Sequence, residues 1–274
     1  MIELPETYVL AEQINCTLVG KTIKAATANA HPHTFAWYTG DPAAYGAMLT
    51  DKTVVSANPG IGSNGGSTEI LCGDMLLVIG TPIKYHTKGE RLPKSHQLLL
   101  EFDDGSFMSC TVQMWGGMFC LPAVKPSGDI VKPSPLEDAF NKAYWDRLLQ
   151  SAKPELSMKA LLATEQRIPG LGNGVLHDIL FKARLHPKRK LETLSDDDKG
   201  RLFNSVKSTL KEMRDGGGRD TEKDLFNKWG GYQTVLSANS WKRSSFCQIC
   251  SGNLVKEAYL GGAIYYCPSC QTLG

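Results

Sequence analysis

Four cysteines near the carboxyl end place the tightest constraint on how this chain folds. Cys247 and Cys250 form one Cys-x2-Cys pair, and sixteen residues separate it from a second pair, Cys267 and Cys270. Each pair can direct two thiolates at one tetrahedral ion, and a closed set of four thiolates suits Zn²⁺ in a structural role. The spacing therefore predicts one structural zinc ion, bound beside a β-hairpin that turns at Gly261-Gly262.

Residues 157–187 indicate two helices joined by a tight turn. Pro169 cannot continue the first helix, whereas Gly170 and Gly172 can take backbone angles that other residues avoid. Apolar residues recur at helical spacing after the turn, which predicts a second helix that begins at or near Asn173. The N–H groups at a helix N-terminus suit a phosphate, although an ordinary helical hairpin without a ligand explains the same pattern.

Charge is distributed unevenly along the chain. Residues 1–149 hold 11 Lys and Arg against 15 Asp and Glu, whereas residues 150–274 hold 19 against 13. A polyanion would therefore bind the carboxy-terminal half, although basic faces are often only solvated. No apolar run approaches the roughly 18 residues that span a bilayer, and no signal peptide precedes the first helix, so we expect an intracellular protein without a membrane partner. The other cysteines are interpreted as small buried hydrophobic residues: Cys16, Cys72, Cys110 and Cys120.

The amino-terminal half has the pattern of a β-sandwich that follows a leading helix. Pro5 suits an early position in that helix, and short strands punctuated by Gly, Asn, Asp and Pro occupy residues 21–121. A proline-rich stretch then marks a linker, after which the pattern becomes helical. The predicted fold class is α+β. We expect a sandwich domain (1–125), a linker (126–134), a helical domain (135–240) and a zinc-binding segment (241–274).

Several of these segments, in the same order, resemble the Fpg/Nei family (formamidopyrimidine-DNA glycosylase and endonuclease VIII). The resemblance is carried by Glu3-Leu4-Pro5-Glu6, by the turn residues Gly170, Gly172 and Asn173, by His186-Pro187 and by the cysteine pairs. It covers nearly the whole chain and identifies the helical pair as a helix–two-turns–helix motif. It implies a DNA-repair protein that binds damaged double-stranded DNA as a monomer, in a bacterial cytoplasm and at the nucleoid when bound.

The chemistry of this family depends on its amino terminus. There the initiator Met is removed, the exposed proline amine attacks the sugar carbon of the damaged nucleotide, and the neighbouring Glu manages protons. By resemblance these roles fall on Ile2 and Glu3, with Glu6 as a further catalytic candidate. Isoleucine in place of proline predicts that Met1 is retained, and its primary amine can still act as a nucleophile. Glu3 can alternatively serve only as a helix-dipole partner.

The resemblance also assigns DNA contacts. Asn173 and Lys159 would bind phosphates, and Gly172 would let the DNA backbone come close. Two positions depart from the family pattern, since Asp74 stands where a strand lysine is expected and Gly262 replaces an arginine of the zinc hairpin.

Two further segments carry candidate contacts with DNA. Residues 112–119 replace the family's arginine and wedging aromatic, and in them Gln113 could hydrogen-bond a base edge while Trp115 wedges into the stack. A hydrophobic strand end with a Gly-Gly turn explains the same residues. Residues 217–221 resemble the glycine-rich loop that covers an extruded base, with Arg219 as its contact, although such loops are often plain connectors.

The sequence therefore predicts a base-excision DNA glycosylase with possible AP lyase activity. A water nucleophile in place of the amine would leave a glycosylase with a weak or absent lyase step. The alternative is a non-catalytic, zinc-containing binder of damaged or bent duplex DNA. A zinc-ribbon protein with an RNA or protein partner is a third hypothesis.

Overall fold

The computed structural model describes residues 2–60, 66–123 and 132–273, so Met1 and most of the predicted linker lie outside the described residues. The helices are α1 (Leu4–Thr17), α2 (Tyr45–Leu49), α3 (Lys142–Gln150), α4 (Asn173–Ala183), α5 (Asp196–Asp215) and α6 (Ala238–Arg243). The strands are β1 (Ile23–Ala28), β2 (Ala36–Tyr38), β3 (Val54–Gly60), β4 (Ser67–Cys72), β5 (Met75–Ile79), β6 (Ile83–His86), β7 (Leu98–Phe102), β8 (Phe107–Cys110), β9 (Gly116–Pro122), β10 (Val255–Tyr259) and β11 (Gly262–Tyr266).

Two sheets enclose the amino-terminal core, which confirms the predicted sandwich. One sheet has the order β1-β7-β8-β6 and is antiparallel, and the other has the order β2-β9-β5-β4-β3, with β2 and β9 parallel. Side chains alternate between core and surface along β5, where Met75, Leu77 and Ile79 are buried. Strand β9 begins at Gly116-Gly117, which one of the two sequence interpretations had assigned to a turn.

Helix α1 lies between the two halves of the molecule. Leu10 and Ile14 on this helix are buried in the sandwich core, whereas Leu4 is buried in the helical core. The main chain of Leu4 donates a hydrogen bond of 2.8 Å to the carbonyl oxygen of Gly170 in the predicted turn. The first residues of the chain are therefore held against the helix–two-turns–helix motif.

The carboxy-terminal half is helical, as predicted. Helix α4 begins at Asn173, and α5 begins after Ser195, whose hydroxyl accepts a hydrogen bond from the Asp198 amide at 3.1 Å. Helix α3 begins later than the sequence indicated, at Lys142 rather than just after Pro135, because Asn141 caps it. Among the described residues, none of the helices combines the length and hydropathy that crossing a bilayer requires.

The last strands form the predicted zinc hairpin. β10 and β11 pair in antiparallel fashion, and the Sγ atoms of the four predicted ligands all lie within 4.8 Å of one another. The Cys247–Cys270 and Cys250–Cys267 sulfur pairs are 3.8 and 3.5 Å apart. A tetrahedral ion with Zn–S bonds of about 2.3 Å separates its sulfurs by about 3.8 Å, so the donor set fits one structural zinc ion.

A segment after α5, which we call the strap (216–232), crosses back to the sandwich. Leu225 on the strap is fully buried in the sandwich core, where its carbonyl oxygen accepts a 2.8 Å hydrogen bond from the amide of Tyr85. Its own amide donates to Oε1 of Gln13 on α1 at 3.0 Å. The strap therefore binds the helical half to the amino-terminal half.

We predict that the zinc ion holds the hairpin on α4. Replacing Cys267 with alanine leaves three thiolates, so the purified protein should lose its zinc, and its melting temperature should fall. Metal content per chain, measured by mass spectrometry, and thermal unfolding check this outcome. Cys16→Ser is the matched control, because Cys16 lies outside the cluster and is exposed, which corrects the expectation that it is buried like Cys72, Cys110 and Cys120. A Cys267→Ala protein that retained one zinc per chain would contradict the assignment.

We predict that Leu225→Ala destabilises the protein by about 2–5 kcal/mol, because it removes a buried side chain and leaves a cavity in the sandwich. Phe226→Ala is the control, since this neighbouring side chain is 41% exposed and its loss should cost less than about 1 kcal/mol. Chemical denaturation gives both values. Equal losses for the two variants would show that the strap is not anchored through Leu225.

Candidate nucleic-acid interface and active site

The carboxylate of Glu3 lies at the amino-terminal end of α4. Its Oε2 accepts hydrogen bonds from the amides of Gly172 (3.2 Å) and Val175 (2.9 Å), and its Oε1 accepts one from Gly174 (2.8 Å). A Cβ on Gly172 would lie 2.6 Å from Glu3 Oε1, so this approach depends on glycine. Three backbone donors therefore fix the carboxylate in one orientation.

Arg219 and Glu6 complete the buried cluster around Glu3. Nε and Nη2 of Arg219 donate to the two carboxylate oxygens of Glu6 at 2.8 and 2.7 Å, which is a bidentate ion pair. Nη1 of Arg219 lies 3.6 Å from Oε1 of Glu3. Gly174 leaves room for the guanidinium, since a Cβ there would lie 1.5 Å from Nη1. One arginine thus contacts both candidate acid residues.

The two carboxylates have opposite pKa shifts. Burial raises the pKa of Glu3, helped by the charge of Glu6, and the charge of Arg219 offsets this only in part. Burial also acts to raise the pKa of Glu6, but the charge and hydrogen bonds of Arg219 outweigh it, so that pKa is lowered. The cluster therefore separates the proton affinities of the two acids, with Glu3 binding a proton more readily than Glu6.

This geometry corrects two predictions. The amides at the start of α4, including that of Gly172, bind the protein's own Glu3 and are not free for a phosphate. Arg219 does not lie on an exposed loop that contacts DNA, because its side chain is 2% exposed and paired with Glu6. Gly172 and Arg219 instead hold the Glu3 carboxylate in place.

The predicted phosphate-binding residues come together at the zinc hairpin. A Cβ on Gly262 would lie 2.5 Å from Nδ2 of Asn173 and 3.5 Å from Nζ of Lys159. Lys159 donates a hydrogen bond to the carbonyl oxygen of Tyr259, and Oδ1 of Asn173 has no hydrogen-bond partner within the described part of the chain. Burial lowers the pKa of Lys159. We call Lys159, Asn173 and Gly262 the hairpin cluster.

Residues 113–115 form an exposed tip between β8 and β9. Gln113 is exposed, Met114 is 72% exposed and Trp115 is 42% exposed. Large apolar side chains on a surface tip suit insertion between bases, which agrees with the wedge interpretation. The Gly-Gly word after Trp115 opens β9 and does not form the predicted turn.

The amino-terminal residue that corresponds to the family's proline is packed inside the protein. Ile2 is 4% exposed and belongs to the sandwich core. Its side chain therefore acts as a hydrophobic anchor. The amine of Met1, the other candidate nucleophile, lies outside the described residues.

The position of Asp74 removes one apparent conflict with DNA binding. Asp74 follows Gly73 in the turn between β4 and β5, where it pairs with Lys52 at 2.7 Å. Gly66, at the opposite end of β4, contacts Glu3, since a Cβ there would lie 2.9 Å from the Glu3 carbonyl carbon. The two ends of the strand are roughly 20 Å apart, so Asp74 lies far from Glu3.

Sequence reasoning missed some residues near the site. Gly66 and Gly80 have no side chains, and only their backbone contacts show that they lie near Glu3. Trp37 lies on the strand next to Trp115, with ring centroids 5.9 Å apart, and is 46% exposed. An aromatic residue in a short strand usually signals a core position, so no local pattern identified it.

Known proteins with related sequences support the same assignment. Residues 131–223 match the family model described as the formamidopyrimidine-DNA glycosylase H2TH domain. A formamidopyrimidine-DNA glycosylase of Carboxydothermus hydrogenoformans is 31% identical over 188 residues, which is 67% of each chain. The protein of that name from Bacillus subtilis is 27% identical over 285 residues, covering 99% of both chains.

Solved structures share the whole fold. The Lactococcus lactis Fpg, in a complex with DNA that contains an abasic site, aligns with a TM-score of 0.79 at 19% identity and covers 98% of this chain and 99% of its own. The MutM (Fpg) protein of Thermus thermophilus aligns with a TM-score of 0.76 at 20% identity and covers 99% of each chain. The sequence and fold matches together show that this chain belongs to the formamidopyrimidine-DNA glycosylase (Fpg) family.

Proposed function

We propose that this protein is a DNA glycosylase of base-excision repair that binds damaged duplex DNA and removes an oxidised base, with an AP lyase step where an amine is the nucleophile. The observation that carries the proposal is the Glu3 carboxylate, which three backbone amides and Arg219 hold at the start of the helix–two-turns–helix motif. We further propose that it works in a bacterial cytoplasm, at the nucleoid.

Binding is assigned to two surfaces on either side of Glu3. Lys159 and Asn173 of the hairpin cluster are assigned to the phosphates, and neither side chain is paired with a carboxylate within the described residues. Lys159 is only 2% exposed and donates to the carbonyl oxygen of Tyr259, so this contact requires the hairpin to shift when DNA binds. The tip at Gln113 and Trp115 fills the gap that an extruded base leaves. Phosphate contacts of this kind fix register, while the tip reads the unpaired position.

The proposed chemistry starts with attack on C1′ of the damaged nucleotide. The bond from C1′ to the base breaks, and the base leaves with the bonding electrons and a proton. Glu3 supplies or accepts protons at the sugar, a role that its raised pKa supports. An amine nucleophile forms an iminium that permits elimination of the 3′ phosphate, whereas water leaves an intact abasic site.

We predict that Glu3→Gln slows base release about 100-fold or more, because proton transfer by a positioned side chain contributes roughly that factor. Single-turnover release of an oxidised base from a duplex measures the effect. Glu12→Gln makes the same chemical change on the exposed face of α1 and should leave the rate unchanged.

The same assay can overturn the proposal. Tight binding without base release, by zinc-replete protein whose N-terminal mass has been determined, would remove the glycosylase assignment. Borohydride identifies the nucleophile, since only an amine gives a trapped covalent adduct with the abasic sugar. A released base with no adduct would assign the attack to water.

We predict that Lys159→Gln lowers the slope of log affinity against log salt concentration by about 0.9, the value for one phosphate contact on duplex DNA. The loss should be similar for every duplex sequence, because phosphate contacts do not read bases. Lys211→Gln is the control, since Lys211 lies on α5 and pairs with Asp215. An unchanged slope in a folded Lys159→Gln protein would exclude this phosphate contact.

A further inference from the structure

Exposed apolar side chains on the sandwich extend beyond the tip between β8 and β9. We call this surface the aromatic edge, and it consists of Phe35 (53% exposed), Trp37 (46%), Met114 (72%) and Trp115 (42%). Contiguous exposed apolar side chains are uncommon on soluble proteins and mark binding surfaces. Two of these residues belong to the tip already described, whereas Phe35 and Trp37 come from β2 and the residue before it.

The backbone brings these residues together on one side. Gly116 donates a 3.0 Å hydrogen bond to the carbonyl oxygen of Phe35, and Trp37 is paired with Gly117 in the parallel β2–β9 ladder. Trp37 lies on β2, and Phe35 lies in the turn that directly precedes this strand. The indole rings of Trp37 and Trp115 are tilted by 51°. The two rings are therefore not stacked on each other, and each has a face that a base could contact.

Packed backbone connects the edge to the Glu3 site. A Cβ on Gly80 would lie 3.9 Å from the amide and carbonyl of Gly117 and 3.9 Å from the carbonyl oxygen of Gly66. Gly66 in turn contacts the backbone of Glu3. These contacts place the start of β9, where the edge begins, two backbone segments away from Glu3.

Acidic residues are absent from the chain segments that form the edge. Residues 29–40, 91–97 and 111–123 contain no Asp or Glu, and the second of these segments carries the exposed residues Arg91 and Lys94, whereas Asp41 and Glu90 directly adjoin the first two segments. Gln97 holds the second segment against the first one, because its Nε2 donates to the carbonyl oxygen of His31 at 2.8 Å. This charge complements a polyanion. The same charge disfavours a two-fold dimer through this edge, because the basic rim (Arg91 and Lys94) of one copy would face that of the other.

We propose that the aromatic edge binds unpaired DNA bases, so that the protein engages damaged bases in single-stranded or locally opened DNA as well as in closed duplex. This inference rests on the proposed function, because it extends the DNA path of the same site. Bases in a closed duplex already stack on both faces, and only bases outside the stack can stack on Trp37 and Phe35. Aromatic rings beside a basic rim are the usual means of binding a single strand.

The test compares one undamaged oligonucleotide as a single strand and as a duplex, using the full-length, zinc-replete protein. Trp37→Ala should weaken single-strand binding by about five-fold or more, since stacking contributes that much per base, and should change duplex affinity by less than about two-fold. Trp229→Ala is the matched control, because Trp229 is a 62% exposed tryptophan on the strap, outside the edge. Thermal melting of both variants verifies that they fold.

A second variant tests the basic rim. Replacing both Arg91 and Lys94 with glutamine should reduce the salt slope for single-strand binding by about 0.7 for each residue. Equal single-strand affinity for wild type, Trp37→Ala and the rim variant would overturn the inference. So would sedimentation that showed a dimer which Trp37→Ala dissociates, since the edge would then bind a second copy of the chain.

The experiment separates this inference from the proposed function. Base release from a damaged duplex is measured with the same preparations. Release with no Trp37-dependent single-strand binding would overturn the inference and leave the glycosylase assignment intact. Trp37-dependent single-strand binding without any release would support the aromatic edge and remove the glycosylase assignment.

Discussion

The buried ion pair between Glu6 and Arg219 is the interaction on which the geometry of this molecule depends. Glu6 belongs to α1 and Arg219 to the strap, so the pair joins the two halves beside Glu3. Removing one partner of a buried pair typically costs about 3–5 kcal/mol, because the other charge is left without compensation. That cost is a large part of the roughly 5–15 kcal/mol that stabilises a domain. Arg219 and three backbone amides together hold the Glu3 carboxylate in a buried, fixed position.

The features that the sequence predicted well are those with local causes. The start of α4 follows from Pro169 and the glycines of the turn. The zinc hairpin follows from the spacing of cysteines, because chain geometry limits where neighbouring thiolates can point. The resemblance to the Fpg family added the order of these parts. The class of fold and the metal could therefore be read before any coordinates were known.

The features that were missed depend on contacts between distant parts of the chain. Arg219 meets Glu6 across 213 residues of sequence, and no local pattern distinguishes a buried arginine from a solvated one in a glycine-rich loop. Asp74 was compared with the family's strand lysine from local sequence alone, and only the structure shows that it lies at the end of β4 that points away from Glu3. Trp37 became visible only when β2 was found beside β9. Tertiary contacts decided all three placements.

The position of Glu3 also determines what the N-terminus of α4 binds. The amides of Gly172, Gly174 and Val175 are bound to the Glu3 carboxylate, so the positive end of the helix dipole faces the protein's own acid. Glycine at position 262 lets Asn173 and Lys159 lie close to the hairpin backbone. Any side chain at position 262 would occupy the space that these two side chains fill. An arginine in the family pattern reaches a phosphate from this hairpin, whereas here Lys159, which hydrogen-bonds the same hairpin, is the cation next to it. The helix terminus therefore positions the Glu3 carboxylate, and the proposed phosphate contact falls to the hairpin cluster.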